Sequence, residues 1–509
     1  MPNPGNFGEL PCESACLHAL RRHCAAIVVL IAIAVFYIAT IRQGNTWGDD
    51  FALYIRHAQN IAAGKPYADT GYIYNPAVPI YGPPTYPPIF PLLLAPVYHF
   101  AGLNFWAMKC EQVMCFVLAL LVIYLCLVQY TSPANASLVI ALVGFNPNFW
   151  AAKDNVLSDL PFVFFFWLAL LLASRASRSY SWALGLGTIF YVTAGTRTIG
   201  VTIVAAFLLH EFRLHRKITA FALLPVPICA ALLAAQSRVI ASGQGSYFDL
   251  FHPTVASVIG NFLAYTRALA TFWMGNSKTA LTFVILAITT ALAILGVYAH
   301  AKRRPELVEI SLVLYLAAVI IWPGRPGIRL LYPVIPFYVY LVVAGGSLLS
   351  SHLAKSRARA VATAVLLLLL GTGYLIAYRN NNWQAIAETD GLASFNDLCR
   401  RVQVSTHDHD VFLCRRPRAL TLFVRRSAAV YDTGSDANLW RFAEQIHASY
   451  LLCNRREAQD IDFLLPFIAR SKSKLDLVYH NSDFELYRIL SYAAQQTQAT
   501  TTSTSTVLK

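Results

Sequence analysis

Charge is scarce in this sequence. Asp, Glu, Lys and Arg together supply 13% of its 509 residues, against 57% hydrophobic residues and a mean hydropathy of +0.50. A water-soluble globular chain of this size does not show that balance, so a lipid bilayer is expected to be its main solvent. Acidic residues are the scarcer kind, 26 against 40 basic ones, which leaves a formal net charge of +14. Such an excess would suit nucleic-acid binding if it formed one patch. Here the basic residues fall in short clusters between apolar runs, where membrane topology accounts for them. Metal-ligand spacing is missing from the ten cysteines: Cys115, Cys126 and Cys229 sit inside apolar stretches where a small thiol packs, and Cys12 and Cys16 have no partners at zinc-site spacing. No glycine-rich phosphate loop follows a strand, which disfavours a bound nucleotide. No small-residue cleavage signal follows the first apolar run, at 25–41, so this run reads as a retained helix behind Arg21-Arg22. No internal repeat suggests the inverted halves of a transporter.

What is present is a series of apolar runs near 25–41, 110–128, 136–150, 158–174, 182–195, 198–210, 218–236, 280–299, 306–322, 330–350 and 360–378. Spanning takes roughly 17 or more residues, and the third, fifth and sixth runs fall short of that. A further stretch, 87–102, is broken by Pro87, Pro88, Pro91 and Pro96. Its status follows from the positive-inside rule. Arg21-Arg22, Arg175/Arg178, Arg213/Arg216/Lys217, Lys302-Arg303-Arg304 and Lys355/Arg357/Arg359 share one side only if 87–102 does not cross. It is therefore read as a half-helix on the outer face. About eleven spans result, with a cytoplasmic tail at 1–24, a transmembrane part at 25–378 that carries an outer loop at 42–109, and the C-terminal region outside.

After Tyr378 the hydropathy falls. Short apolar runs at 411–413, 428–431, 450–452, 475–479 and 484–487 alternate with helix-like stretches, which predicts a small α/β soluble domain over 379–490. The Gln-, Thr- and Ser-rich end, 491–509, lacks the apolar content to pack and is expected to be disordered.

Candidate chemistry gathers outside. Thr46-Trp47-Gly48-Asp49-Asp50-Phe51 follows the first span directly. Mutual repulsion between adjacent carboxylates raises one pKa and suits a general base acting on a hydroxyl. A solvated pair capping an amphipathic surface helix is the competing account, at about even odds. Lys153, Asp154 and Asp159 lie in the next outward connection: Lys153 is able to hold a phosphate as a point charge, and the two aspartates to orient substrate, against the reading of a polar turn capped by Ser158. Arg197, between two apolar runs, is costly there without a partner such as a lipid phosphate, unless it snorkels to headgroups. Arg325 and Arg329, in a Gly- and Pro-rich turn, present fork donors suited to phosphate.

The order of these segments resembles the GT-C glycosyltransferases. An acidic pair past the first span, then Ala63-Gly64-Lys65-Pro66-Tyr67, then Tyr86-Pro87-Pro88 opening a proline-broken stretch, is similar to the first periplasmic loop of the bacterial families related to protein O-mannosyltransferases, the lipid A aminoarabinose transferase and the rhizobial lipopolysaccharide core transferases. Pro323-Gly324-Arg325-Pro326-Gly327-Ile328-Arg329-Leu330-Leu331-Tyr332-Pro333 resembles their Gly-Arg-Tyr-Leu-Leu-Pro pattern near the carrier-lipid phosphate. Pro-Gly-Ile between the two arginines is a departure that leaves Arg325 or Arg329 as the equivalent, with Arg329 favoured because it directly precedes Leu-Leu-Tyr-Pro.

The resemblance implies an all-α polytopic membrane fold with a small C-terminal α/β domain, acting as an inverting glycosyltransferase on the outer face of the bacterial inner membrane. The donor would be a sugar, hexosyl or pentosyl, on polyprenyl phosphate, and the acceptor a lipid, glycan or protein. Asp49 falls on the catalytic position, with Asp50 beside it. Arg329, Arg325, Arg197 and Lys153 are expected at the donor phosphate, and Tyr86, Asp154 and Asp159 at substrate. No metal site is assigned; a divalent cation would have only Asp49, Asp50, Asp154 and Asp159 as ligands. The competing function is a transporter or lipid flippase of the envelope, which would spread charges through mid-membrane instead of gathering them at outer ends.

Overall fold

The computed structural model describes residues 11–46, 48–175, 179–241, 251–274, 280–301, 306–323, 327–351 and 356–490. Trp47, Arg325, the Lys302–Arg304 cluster and the 491–509 tail named above lie outside the described residues.

Helices dominate, and their packing follows from nearly unbroken apolar sequence. Helix α1 (Pro11–Ala39) is followed by α2 (Asp50–Ala62), α3 (Ile89–Ala101), α4 (Phe105–Leu127), α5 (Pro133–Gly144), α6 (Pro147–Ala152), α7 (Asp159–Ser174) and α8 (Tyr180–Thr196). Then come α9 (Thr202–His215), α10 (Ala220–Leu223), α11 (Pro225–Ile240), α12 (Val255–Met274), α13 (Ala280–Ala301), α14 (Leu307–Ile321), α15 (Ile335–Ser351) and α16 (Ser356–Asn380). Among the described residues five helical segments are long and apolar enough to cross a membrane: Arg22–Ala39, Phe105–Leu127, Thr198–His215, Ala220–Ile240 and Ala280–His300. Five shorter apolar helices, α3, α5, α7, α14 and α15, lie among them. The number long enough on their own is thus smaller than the eleven spans expected from hydropathy.

The bundle is held by α4 against α7, α1 against α5, α9 against α14 and, closest of all, α13 against α15. In the last pair a Cβ at Gly345 would lie 1.9 Å from the Leu292 carbonyl oxygen, and one at Gly296 would lie 2.0 Å from that of Leu341. Two glycines therefore let the backbones touch, the small-residue packing expected where lipid supplies no hydrophobic drive between helices.

Helix α3 is 13 residues long, about 20 Å at 1.5 Å per residue, too short to cross. Helix α12 departs from the sequence reading, which treated 237–279 as a loop. Its polar positions dilute the hydropathy, yet Asn261 donates to the Ile320 and Trp322 carbonyls at 2.9 and 2.7 Å, and Phe272, Trp273 and Met274 are buried.

Beyond α16, helices α17 (Ala393–Ser405), α18 (Pro417–Val424), α19 (Asp436–Gln445) and α20 (Leu465–Arg470) surround a six-stranded sheet. The five expected apolar runs all form strands: β2 (Val411–Leu413), β3 (Ser427–Ala429), β4 (Tyr450–Asn454), β5 (Leu475–His480) and β6 (Phe484–Ile489). The sixth strand, β1 (Tyr72–Ile73), comes from the loop after α1 and pairs in parallel with β3 through Tyr72 and Ala428. Strand order is β1-β3-β2-β4-β6-β5, parallel over the first four strands, where α18 and α19 supply crossovers, and antiparallel at the β5–β6 hairpin. The loop and the C-terminal region therefore share one sheet, and this joint positions the site.

Candidate functional site

A surface position for helix α2 belonged to the competing account of the acidic pair. Instead Phe51, Ala52, Leu53, Ile55 and Ala58 are buried, and the helix is packed between α3 and α18. That packing sends its two leading carboxylates different ways. Asp49 turns toward α18, where Oδ1 accepts from the Ala419 amide at 2.9 Å and Oδ2 from the Arg418 amide at 3.4 Å, a cap on the first turn of that helix. Burial pushes the Asp49 carboxyl up to about 6, against the downward pull of Arg418 and the Ala419 amide. Asp50 stays half-exposed, and its Oδ1 accepts from the Tyr86 hydroxyl at 2.7 Å and from Arg418 at 3.3 Å.

Tyr86 is itself held. Its amide donates to His57 Nε2 at 3.2 Å, while Nδ1 of the same ring donates to the Tyr67 carbonyl at 2.9 Å, and the ring stacks on Tyr67. Burial drives His57 down to about 3, so it stays neutral, and the two bonds fix the Nδ1–H tautomer.

Arg418, at the start of α18 behind Pro417, is fully buried in the loop. Its guanidinium reaches Tyr86, Asp50 and the carbonyls of Tyr81, Gly82 and Pro83, and it stacks over Tyr72 at 4.6 Å. Sequence reasoning assigned Arg418 no role. The available signal was a proline at the first turn beside an arginine, which meant little without knowing that β1 joins the C-terminal sheet.

The second half of the site stands on the helix bundle. Asp159, in the first turn of α7, is almost wholly buried, and Oδ1 accepts from Arg197 at 2.6 Å while Oδ2 accepts from Arg329 Nε at 3.0 Å and NH2 at 2.8 Å. Arg197 ends α8, and Arg329 sits in a single 3₁₀ turn, Gly327–Leu331, between α14 and α15. Two arginines on one carboxylate leave a net positive pair of forks. Arg329 also lies 4.0 Å from Asp50 Oδ2, which joins the two halves.

Lys153 and Asp154 belong to another cluster. Lys153 is fully buried, 2.8 Å from Asp154 and over the Trp150 ring at 4.1 Å. Burial lowers its ammonium to about 8 against the opposing pull of Asp154. Asp154 also takes the Arg42 amide at 3.0 Å and its Nε at 2.7 Å, and Arg42 goes on to the Asn382 carbonyl. The cluster ties the ends of α1, α6 and α16 together. The structure thus gathers Asp50, Tyr86, Asp159, Arg197 and Arg329, adds Arg418, turns Asp49 aside, and sets Lys153 and Asp154 apart.

The four carboxylates suggested as cation ligands are engaged by arginine, lysine or amide donors. Among the described residues, the His/Asp group with ligand atoms within 4.8 Å of one another is His407, His409 and Asp410, in the C-terminal part.

Arg329 lines one cavity, and a second begins two residues further on, at Leu331. The first is small, about 130 Å³, and is lined by Gln112, Asn148, Asn155, Asp159, Arg329 and Tyr332, among others. A larger apolar groove of about 740 Å³ follows α14, from Arg213, His300 and Glu309 at one end to Leu331 and Ile335 at the other.

No protein-family model matches this sequence, and no curated protein matches it. Solved structures do match in fold. ArnT from Cupriavidus metallidurans, bound to undecaprenyl phosphate, aligns over 91% of this chain and 97% of its own with a TM-score of 0.56 at 12% identity. The archaeal oligosaccharyltransferase AglB from Archaeoglobus fulgidus, in complex with an inhibitory peptide and a dolichol-phosphate, aligns over 84% and 69% with a TM-score of 0.57 at 13% identity. The arabinofuranosyltransferase AftD from Mycobacteria aligns over 92% and 40% with a TM-score of 0.54 at 13% identity. The chain has the fold of the GT-C membrane glycosyltransferases.

Proposed function

We propose that this protein transfers a sugar from a polyprenyl-phosphate carrier to a lipid, glycan or protein acceptor at the outer face of the inner membrane. The observation that carries the reading is the Arg197–Asp159–Arg329 cluster, which places Arg329 4.0 Å from the half-exposed Asp50, two residues before Leu331 in the wall of the apolar groove along α14. A polyprenyl tail lies in that groove, and its phosphate meets the guanidinium forks at the groove's Leu331 end.

Chemistry then needs a carboxylate facing the acceptor. Asp50 serves as the base, with Tyr86 and Arg418 fixing its orientation and Asp49 acting from behind by anchoring α18. The acceptor hydroxyl gives its proton to Asp50 as its oxygen bonds to the anomeric carbon. The bond from that carbon to the phosphate oxygen breaks, its electron pair leaves with the phosphate, and the charge is met by Arg329 and Arg197. A single displacement of this kind inverts the anomeric configuration.

The test is transfer of radiolabelled sugar from polyprenyl phosphate in membranes that express matched amounts of wild type, Asp50→Asn and Arg329→Ala. Transfer by the wild type and its loss in both variants is expected. Full activity of Asp50→Asn would remove the base from the scheme, and an inactive wild type across hexosyl and pentosyl donors would turn the assignment toward transport.

A further inference from the structure

Gln112 presents an unusual feature in the wall of the small cavity. It lies on α4, one turn beyond Lys109, whose ammonium anchors that helix end to the carbonyls of Arg42 and Gly44. The Gln112 side chain is fully buried, and neither its carbonyl oxygen nor its amide nitrogen has a hydrogen-bond partner. A buried carboxamide carries two donor hydrogens and an acceptor, and leaving them unmade costs stability that a leucine of similar size would not. An unsatisfied group of this kind, on a residue that lines a cavity, calls for a ligand to complete it.

The cavity itself says which kind. Its lining includes Arg329, one of the two arginines that meet the phosphate, so whatever fills it is attached next to that phosphate. Apart from Arg329 and its partner Asp159, the polar lining is uncharged: Gln112, Asn148, Asn155 and Tyr332. Carboxamides and a phenol both donate and accept, which suits hydroxyl groups and offers nothing to a second phosphate. At about 130 Å³ the space is well below the roughly 300 Å³ of a drug-sized cleft and suits one small ring.

We propose that this cavity receives the sugar ring of the carrier-linked donor, and that Gln112 selects it by bonding ring hydroxyls. The proposal rests on the glycosyltransferase reading and deepens it. Gln112 is a specificity residue. It adds little to binding of the lipid phosphate, which Arg329 and Arg197 hold.

The experiment compares purified wild type, Gln112→Leu and Gln112→Glu for affinity toward undecaprenyl phosphate and toward its hexosyl and pentosyl phosphodiesters, with melting temperature recorded for each. Wild type binds at least one sugar-linked carrier more tightly than the bare phosphate. Gln112→Leu loses roughly 10-fold or more of affinity for that sugar-linked carrier. It keeps its affinity for undecaprenyl phosphate and melts higher without ligand. Gln112→Glu, which keeps the shape but gives up the donors, loses the same preference. Unchanged preference in both variants, or equal weakening toward both lipids, overturns the proposal. A wild type that binds neither lipid overturns the glycosyltransferase reading along with it.

Discussion

Asp49 and Asp50 are consecutive in the chain and occupy opposite environments. Asp49 is buried against the amides of Arg418 and Ala419, while Asp50 is half-exposed, 4.0 Å from Arg329 and bonded to the Tyr86 hydroxyl. The first turn of a helix places successive side chains about 100° apart, so one faces α18 and the other Arg329.

The two aspartates should therefore separate on mutation. Asp50→Asn is expected to lower transfer about 10²-fold or more, with melting temperature unchanged. Asp49→Asn should retain most transfer, because an amide oxygen still accepts from the Ala419 nitrogen. Initial-rate assays alongside thermal unfolding in detergent read both effects. A larger loss of transfer in Asp49→Asn than in Asp50→Asn would reassign the base.

Stability should depend on pH through Asp49 and Asp460. Burial raises both to about 6, Asp460 despite bonds from Tyr431 and the Asn454 amide. Between their ordinary carboxylate values and 6 the folded state binds more protons than the unfolded one. Stability consequently falls as pH rises through this window and levels off above it. Asp49→Asn removes its own share, up to about 3 kcal/mol for a two-unit shift. Its melting temperature relative to wild type should accordingly rise from pH 4 to pH 7. A pH-independent difference would contradict the burial of Asp49.

Arg329 and Lys153 were both expected at the donor phosphate, yet Arg329 opens on the small cavity whereas Lys153 is sealed against Asp154 and Trp150. Arg329→Lys should raise the KM for the polyprenyl donor about 10-fold, since an ammonium cannot replace a bidentate fork. Lys153→Met should leave that KM within about twofold and lower the melting temperature, because Asp154 loses one of its two cationic partners. Donor-saturation kinetics with both variants decide the matter; a KM effect confined to Lys153→Met would reverse the two roles.

Arg418 couples the sheet to the loop, and its removal should be felt at Asp50. Arg418→Met leaves the Tyr81, Gly82 and Pro83 carbonyls without their shared donor, and it is expected to destabilise by about 3 kcal/mol or more while lowering kcat as Asp50 loses its orientation. Limited proteolysis within residues 74–85 should become faster in this variant. Unaltered cleavage and turnover would show that β1 pairing alone holds the joint.

The sequence by itself determined what solvent the chain requires and which elements it builds. Apolar runs long enough for a bilayer, the proline-broken stretch that becomes α3 and the five C-terminal strands follow from composition and periodicity, which are local properties. It also named Asp49, Asp50, Asp159, Arg197 and Arg329 as candidates, because charge beside apolar sequence is costly enough to stand out, and Tyr86 through the resemblance of its loop. Helix α12 was illegible because the polar residues that cap and bridge inside the bundle lower its hydropathy as a loop would. What tertiary structure alone decided was pairing. Whether a carboxylate meets an amide, a guanidinium or open space depends on which distant segment packs against it. Here that was settled by β1 joining β3 and by α2 packing against α18, where the Asp49–Ala419 bond links residues 370 apart that no local pattern pairs.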